Sequence, residues 1–304
     1  MEPDSSRSAT PATDPRPVKS SGYAGLLGFS NSGKSSILNN VTGRSISAVT
    51  GQPFTTRTNV AGLTTSAGWQ VCFIDTPDIS RVLDHPVMTW LDVYCLVMDS
   101  RRIDEQMDSM EVSRLFELSR AGALPVILVL TFVDYFPDSL KPALLHQAAL
   151  RRDFAGLLSC CPAQGGGGEK LLELVVGQLP RREALFPDDC RTPHSERFLV
   201  GEQIRTQLYR VLPPDVASST AVQIEEFSFR DGKTYVRANI HVARHSSKGM
   251  VIGRKGATLQ RISDLASEAS RALLGKSLYL DLWVKVREGW PDSEGDLLEF
   301  GYVC

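Results

Sequence analysis

At 304 residues the chain exceeds the size at which a single hydrophobic core grows comfortably, so two domains are expected. Its 42% hydrophobic and 22% charged residues are ordinary for a soluble globular protein, and a formal net charge of −2 excludes whole-molecule attraction to nucleic acid, leaving any RNA affinity to a local basic patch. Six cysteines (Cys72, Cys95, Cys160, Cys161, Cys190, Cys304) lack CxxC spacing, no apolar h-region opens the chain, and no stretch nears the roughly 20 apolar residues that span a bilayer; the expectation is a cytoplasmic protein with reduced thiols and no zinc.

Residues 1–22 are rich in Ser, Thr, Pro and Asp, with almost nothing to bury, and read as a disordered tail. From Tyr23 onward, near-continuous apolar runs of strand length (YAGLLGF, WQVCFID, VYCLVMD, LPVILVLTFVD and the weaker FAGLLSCCP) alternate with helix-compatible segments. That alternation predicts an α/β domain over 23–181 with a mostly parallel sheet buried on both faces. A Pro- and charge-rich segment, 182–194, reads as a linker. Residues 195–304 then read as a smaller α+β domain: an amphipathic helix over 195–212, a two-strand ribbon turning at Asp231-Gly232, a helix over 257–274 and an alternating strand LYLDLWVKV.

Gly28-Phe29-Ser30-Asn31-Ser32-Gly33-Lys34-Ser35 fits GxxxxGK[ST] between a strand and a helix, the P-loop arrangement in which backbone amides cradle phosphates, Lys34 reaches the β/γ oxygens and Ser35 ligates Mg²⁺. Asp75-Thr76-Pro77 ends an apolar strand, placing a carboxylate at the sheet's C-terminal edge beside that loop, on the Mg²⁺ side. Between them the polar loop Gln52–Arg57 carries a threonine able to complete the coordination, although an ordinary loop fits these residues equally well. Thr131-Phe132-Val133-Asp134 follows a buried run; an aspartate there can accept from both N1–H and the exocyclic amine of guanine, and Phe132 can cover the ring. The rival reading of Asp134 is a strand-terminal turn.

Gly253-Arg254-Lys255-Gly256 is a GxxG loop entering a helix, the device by which KH domains clamp single-stranded nucleotides; Lys248, Arg244, Arg261 and Lys285 are its expected basic surroundings.

From Tyr23 to Tyr302 these residues resemble the Era family of GTPases. The likeness is carried by GFSNSGKSSILNNVTG, ISAVTGQPFTTRTNVAGL, DTP, MVIGRKGATLQRI and LYLDLWVKVREGW. The resemblance implies a P-loop GTPase domain followed by a type II KH domain. It implies Gly28, Asn31, Ser32, Gly33, Lys34, Ser35 and Ser36 around the phosphates of GTP or GDP, and Ser35, Thr56 (or its neighbour Thr55) and Asp75 on Mg²⁺. Thr131, Asp134 and Ala163 are implied at guanine, with Lys34, Thr56 and Asp75 carrying catalysis. It further implies Lys248, Gly253, Arg254, Lys255 and Gly256 on the single-stranded 3′ end of small-subunit (16S-type) ribosomal RNA, action in rRNA processing and 30S subunit biogenesis, a monomer, and peripheral association with the inner face of the membrane. Three departures from the family pattern stand out: Asp78 replaces the glycine of DxxG, Phe132 replaces the lysine of [NT]KxD, and the segment between Asp78 and Asp92 is short. They keep open a second reading, a degenerate GTPase acting as an RNA-binding scaffold.

Overall fold

The computed structural model describes residues 17–49, 56–230 and 232–302. The first domain is built on a seven-stranded sheet. Strands β1 (Val18–Leu27), β2 (Val60–Thr65), β3 (Trp69–Asp75), β4 (Val93–Asp99), β5 (Val126–Thr131) and β6 (Gly156–Ser159) lie in the order β2-β3-β1-β4-β5-β6, and β7 (Arg181–Glu183) pairs with the start of β1. All neighbours run parallel except β2 on β3 and β7 on β1.

Strands β3, β4 and β5 are buried along almost their whole length because both sheet faces are covered. One face packs Leu27, Leu96 and Leu128 under α3 (Ile103–Met107), α4 (Met110–Gly122) and α5 (Lys141–Ala149); the other packs Leu26, Phe73 and Val129 under α1 (Lys34–Thr42) and α6 (Gly168–Val176). Parallel strands put the loops after β1, β3, β5 and β6 at one edge, where the P-loop, the DTP segment and the candidate base-binding turns meet.

The second domain follows the order α7 (Glu196–Val211), a short α8 (Pro214–Ala217), β8 (Thr220–Arg230), β9 (Lys233–Val242), α9 (His245–Ile252), α10 (Ala257–Leu274), β10 (Leu278–Val286) and α11 (Glu294–Glu299). β9 is central, antiparallel to β8 and parallel to β10, with α7 and α10 packed on one face around Val236, Ala238 and Ile240. This is the expected small α+β sheet.

Two boundaries differ from expectation. Strand β1 begins at Val18 because β7 pairs with its first residues, and Lys19 is buried with its ammonium 2.5 Å from Asp188; residues 18–22 therefore belong to the domain, not to a tail ending at 22. The segment 182–194 is no free linker. Phe186 exchanges hydrogen bonds with Gln70, Arg191 accepts from the Leu63 amide, and His194 Nε2 accepts from the Ala61 amide, strapping the segment along β2 and β3. The expected tail up to residue 16, Thr55 and the residues before it in the Gln52–Arg57 loop, Asp231 of the ribbon turn, and Cys304 lie outside the described residues.

Candidate nucleotide and RNA sites

The P-loop takes its shape from three backbone requirements. A Cβ on Gly28 would stand 2.2 Å from the Val97 carbonyl oxygen, so only glycine lets the loop cross β4. Asn31 (φ 62°) and Gly33 (φ 95°) are left-handed, turning successive amides inward before α1 begins. Lys34 folds back over the loop, its Nζ donating to the Gly28 and Phe29 carbonyls at 2.8 Å each. Thr131 supports the loop from below: its Oγ1 lies 2.7 Å from the Ser32 carbonyl oxygen and 3.0 Å from that of Met98. Thr131 is thus buried beneath the phosphate loop, with Asp134 exposed at the mouth.

Asp75 is fully buried at the end of β3 and gathers the residues expected at the metal. Its Oδ2 accepts from Ser35 Oγ at 2.6 Å and Ser47 Oγ at 2.7 Å, while Thr56 Oγ1 stands 3.0 Å from Ser35 Oγ and 3.4 Å from Oδ2. Burial pushes the Asp75 carboxyl up, opposed by Lys34 and the three hydroxyls; burial likewise pushes the Lys34 ammonium down, opposed by Asp75 and Asp78. The second oxygen, Oδ1, is buried with no hydrogen-bond partner among the described residues. An orphaned carboxylate oxygen beside two hydroxyls is a hard-oxygen donor set that fits Mg²⁺, which keeps several waters and takes few protein ligands. Ser35, Thr56 and Asp75 would hold the ion. Bound there, Mg²⁺ would neutralise phosphate charge.

Asp78, at the position of the family's glycine, is half-buried and engaged. Its Oδ2 accepts from the Ser30 amide at 2.6 Å, and its Oδ1 from the Ser80 amide and hydroxyl at 3.0 and 2.8 Å. Burial pushes this carboxyl up, but the bonds from Ser80 and Ser30 and the nearby Lys34 charge outweigh it, and the net direction is down. The short stretch to β4 is filled by the single turn α2 (Ile79–Val82) and a 3₁₀ turn at Pro86–Thr89.

At the base side, Asp134 Oδ1 accepts weakly from Cys161 Sγ at 3.4 Å, bringing the loops after β5 and β6 together next to Ala163. Phe132 is left-handed (φ 55°), uncommon for a bulky residue. Arg101, paired with Asp99 at 2.7 Å, lies 4.2 Å from the Phe132 ring centroid and 4.7 Å from that of Tyr135, and so holds the aromatic lip in place.

In the second domain Gly253 (φ 72°), Lys255 (φ 52°) and Gly256 (φ 81°) form a tight exposed loop between α9 and α10. A Cβ on Gly253 would meet Thr258 Oγ1 at 2.1 Å. Arg254 and Lys255 are exposed and Lys248 is half-buried on the preceding helix. Lys285, expected nearby, instead sits on the sheet face away from the helices, ion-paired to Glu225 at 2.8 Å. Strand alternation dictates this side.

A family model described as 50S ribosome-binding GTPase matches residues 23–132, and a KH-domain model matches residues 215–291. GTPase Era of Trichlorobacter lovleyi is 34% identical over 293 residues, covering 92% of this chain and 97% of that protein. The chain belongs to the Era family. Era structures superpose along nearly the whole chain: Aquifex aeolicus Era bound to GDP·AlF₄⁻ has a TM-score of 0.85 at 27% identity, covering 93% of this chain and 99% of that one. An Era in complex with MgGDPNP and nucleotides 1506–1542 of 16S ribosomal RNA also scores 0.85 at 27% identity, covering 94% and 100%.

Sequence reasoning missed Ser47 and Arg57. Ser47 carries no motif, being one serine in a polar loop. Arg57, next to Thr56, reaches into the KH side of this Era-family chain: its guanidinium lies 5.0 Å from the Trp290 ring centroid and 5.2 Å from that of Tyr302, 3.4 Å from Tyr209 Oη, and bonded to the Ser218 carbonyl.

Proposed function

We propose that this chain binds GTP and GDP with Mg²⁺, hydrolyses GTP, and binds the single-stranded 3′ end of small-subunit (16S-type) ribosomal RNA through the Gly253–Gly256 loop, in rRNA processing and small-subunit assembly in the cytoplasm. The observation that carries the reading is the convergence of Lys34, Ser35, Thr56 and Asp75 at the mouth of the P-loop, with one Asp75 oxygen left without a partner among the described residues. Lys34 supplies a fixed positive charge where negative charge develops on the transferred phosphoryl group, and the loop amides hold the phosphates in line. None of the described side chains at the loop need act as a base, because positioning and charge do most of the work in this chemistry. The family membership and the Era complexes with GDP·AlF₄⁻, MgGDPNP and 16S rRNA support the nucleotide, ion and RNA classes.

The exposed cations of the GxxG loop fit a sugar–phosphate backbone. The test of the enzyme reading is phosphate release from GTP with Mg²⁺. Wild type should turn over and Lys34→Ala should lose about 100-fold or more. Equal rates in the two proteins would leave only the RNA-binding scaffold, the reading that Asp78 favours.

A further inference from the structure

We infer that Asp78 sets the nucleotide preference of this chain, its carboxylate standing at the phosphate-loop amide that a third phosphate would use, so that GDP is favoured over GTP. The inference rests on the P-loop being a guanine-nucleotide site, as proposed above.

The side chain is held, not loose. Oδ2 accepts from the Ser30 amide at 2.6 Å, Oδ1 is fixed by the Ser80 amide and hydroxyl, and the next residue, Ile79, donates its own amide to the Gly28 carbonyl at 3.0 Å. The segment after β3 is thereby latched to the outer limb of the P-loop at two points. Amides at the mouth of α1 serve the phosphates common to GDP and GTP. Ser30 lies earlier in the loop, before the left-handed Asn31, with its amide facing the segment that follows Asp75, and a further phosphate would have to approach on that side. In place of that phosphate this chain supplies its own anion. Lys34 already feels the charge of two carboxylates, Asp75 and Asp78. GTP must therefore displace a charge-assisted hydrogen bond and bring its terminal phosphate toward a carboxylate, whereas GDP leaves the latch closed.

A purely structural role is the competing explanation, since Asp78 also caps α2. A cap would affect both nucleotides alike.

The experiment titrates wild type, Asp78→Asn and Asp78→Gly with fluorescent GDP and with a non-hydrolysable GTP analogue, each with Mg²⁺. The asparagine variant keeps an oxygen for the Ser80 cap, so it tests the charge while preserving the turn. The expected result is that GTP-analogue affinity rises about tenfold or more in both variants while GDP affinity stays within about threefold, so that the ratio of the two shifts. Binding of both nucleotides with an unchanged ratio, or parallel changes in the two, would overturn the assignment and leave the GTPase reading intact. Binding of neither nucleotide by any of the three proteins would remove the GTPase reading itself, and this assignment with it.

Discussion

Asp75 is a fully buried carboxylate, one oxygen satisfied by hydroxyls and the other without a hydrogen-bond partner among the described residues. A buried charge of that kind is costly unless something positive arrives to meet it. Asp75→Asn should therefore leave the melting temperature of the free protein unchanged or slightly raised, while abolishing the stabilisation that Mg²⁺ and GDP give wild type. That stabilisation is about 2.7 kcal/mol at a ligand concentration 100 times Kd, and differential scanning fluorimetry reads it. Ser47→Ala removes a 2.7 Å donor to the metal-side carboxylate. Loss of such an orienting bond should weaken Mg²⁺-dependent nucleotide binding about tenfold, measured by Mg²⁺ titration at fixed GDP. The juxtaposition of Lys34, Ser35 and Asp75 was legible because the P-loop spacing and the strand-end position of the aspartate fix where the chain puts them. Ser47 was not, because its partner lies 28 positions away and its neighbours have no repeating pattern.

Among the elements, β3, β4, α10 and β10 coincide with the runs read from the sequence, since each has either an unbroken apolar run or a clear period and a glycine stop. Strands β2 and β7 were not read. RRE holds no apolar residue and VAGLTT is a short run broken by Gly62, and both are made strands by partners on the sheet. The strap 182–194 was read as a linker from its prolines and charges, which report solvent and turns but not what the backbone bonds to. Its His194 accepts a hydrogen bond from Ala61 through Nε2 and stacks 4.1 Å from Phe198, so it must be neutral there; burial lowers its pKa from the ordinary 6.5. A lowered histidine pKa gives stability that is present at neutral pH and lost as pH falls below about 6.5. His241, lowered by burial and by Arg287 and Lys285, acts in the same sense. The melting temperature should accordingly fall between pH 7.5 and 5.5, and His194→Gln should remove part of that fall.

The GxxG loop belongs to the same scale. Gly253→Ala forces a Cβ against Thr258 in a left-handed residue and should disorder the loop at a cost of about 1–3 kcal/mol. RNA binding should drop with nucleotide binding unchanged. Lys255→Ala should instead weaken RNA binding evenly across sequences and flatten the salt dependence, by about 0.7 in the logarithmic slope if one phosphate contact is lost.

Across the whole molecule, the two domains share a packed interface. Leu199 of α7 joins the core of the first domain, and Gln203 donates to the Ser45 carbonyl at 2.9 Å. Arg57 crosses the same boundary into the Trp290 and Tyr302 rings, one residue after the Thr56 that faces the metal side. Trp290 is itself buried and tied to the Ser219 carbonyl, so a shift at Thr56 is met by a rigid partner and not by a loose tail. Coupling between sites of this kind is worth about 1–3 kcal/mol and is reciprocal. Arg57→Ala should keep both affinities but erase the effect of one ligand on the other, a result that a double titration of nucleotide and RNA displays.

The most direct measurement is the affinity of the full chain for a single-stranded RNA carrying the 3′ end of 16S ribosomal RNA, by fluorescence anisotropy at fixed salt, with Mg²⁺ and either GDP or a non-hydrolysable GTP analogue at saturation. Domains joined through Thr56 and Arg57 give affinities that differ by about fivefold or more between the two nucleotides, and Lys34→Ala collapses the difference. Equal affinities with both nucleotides bound would mean that the nucleotide site and the GxxG loop work independently, and that this chain is not a nucleotide-gated RNA-binding protein.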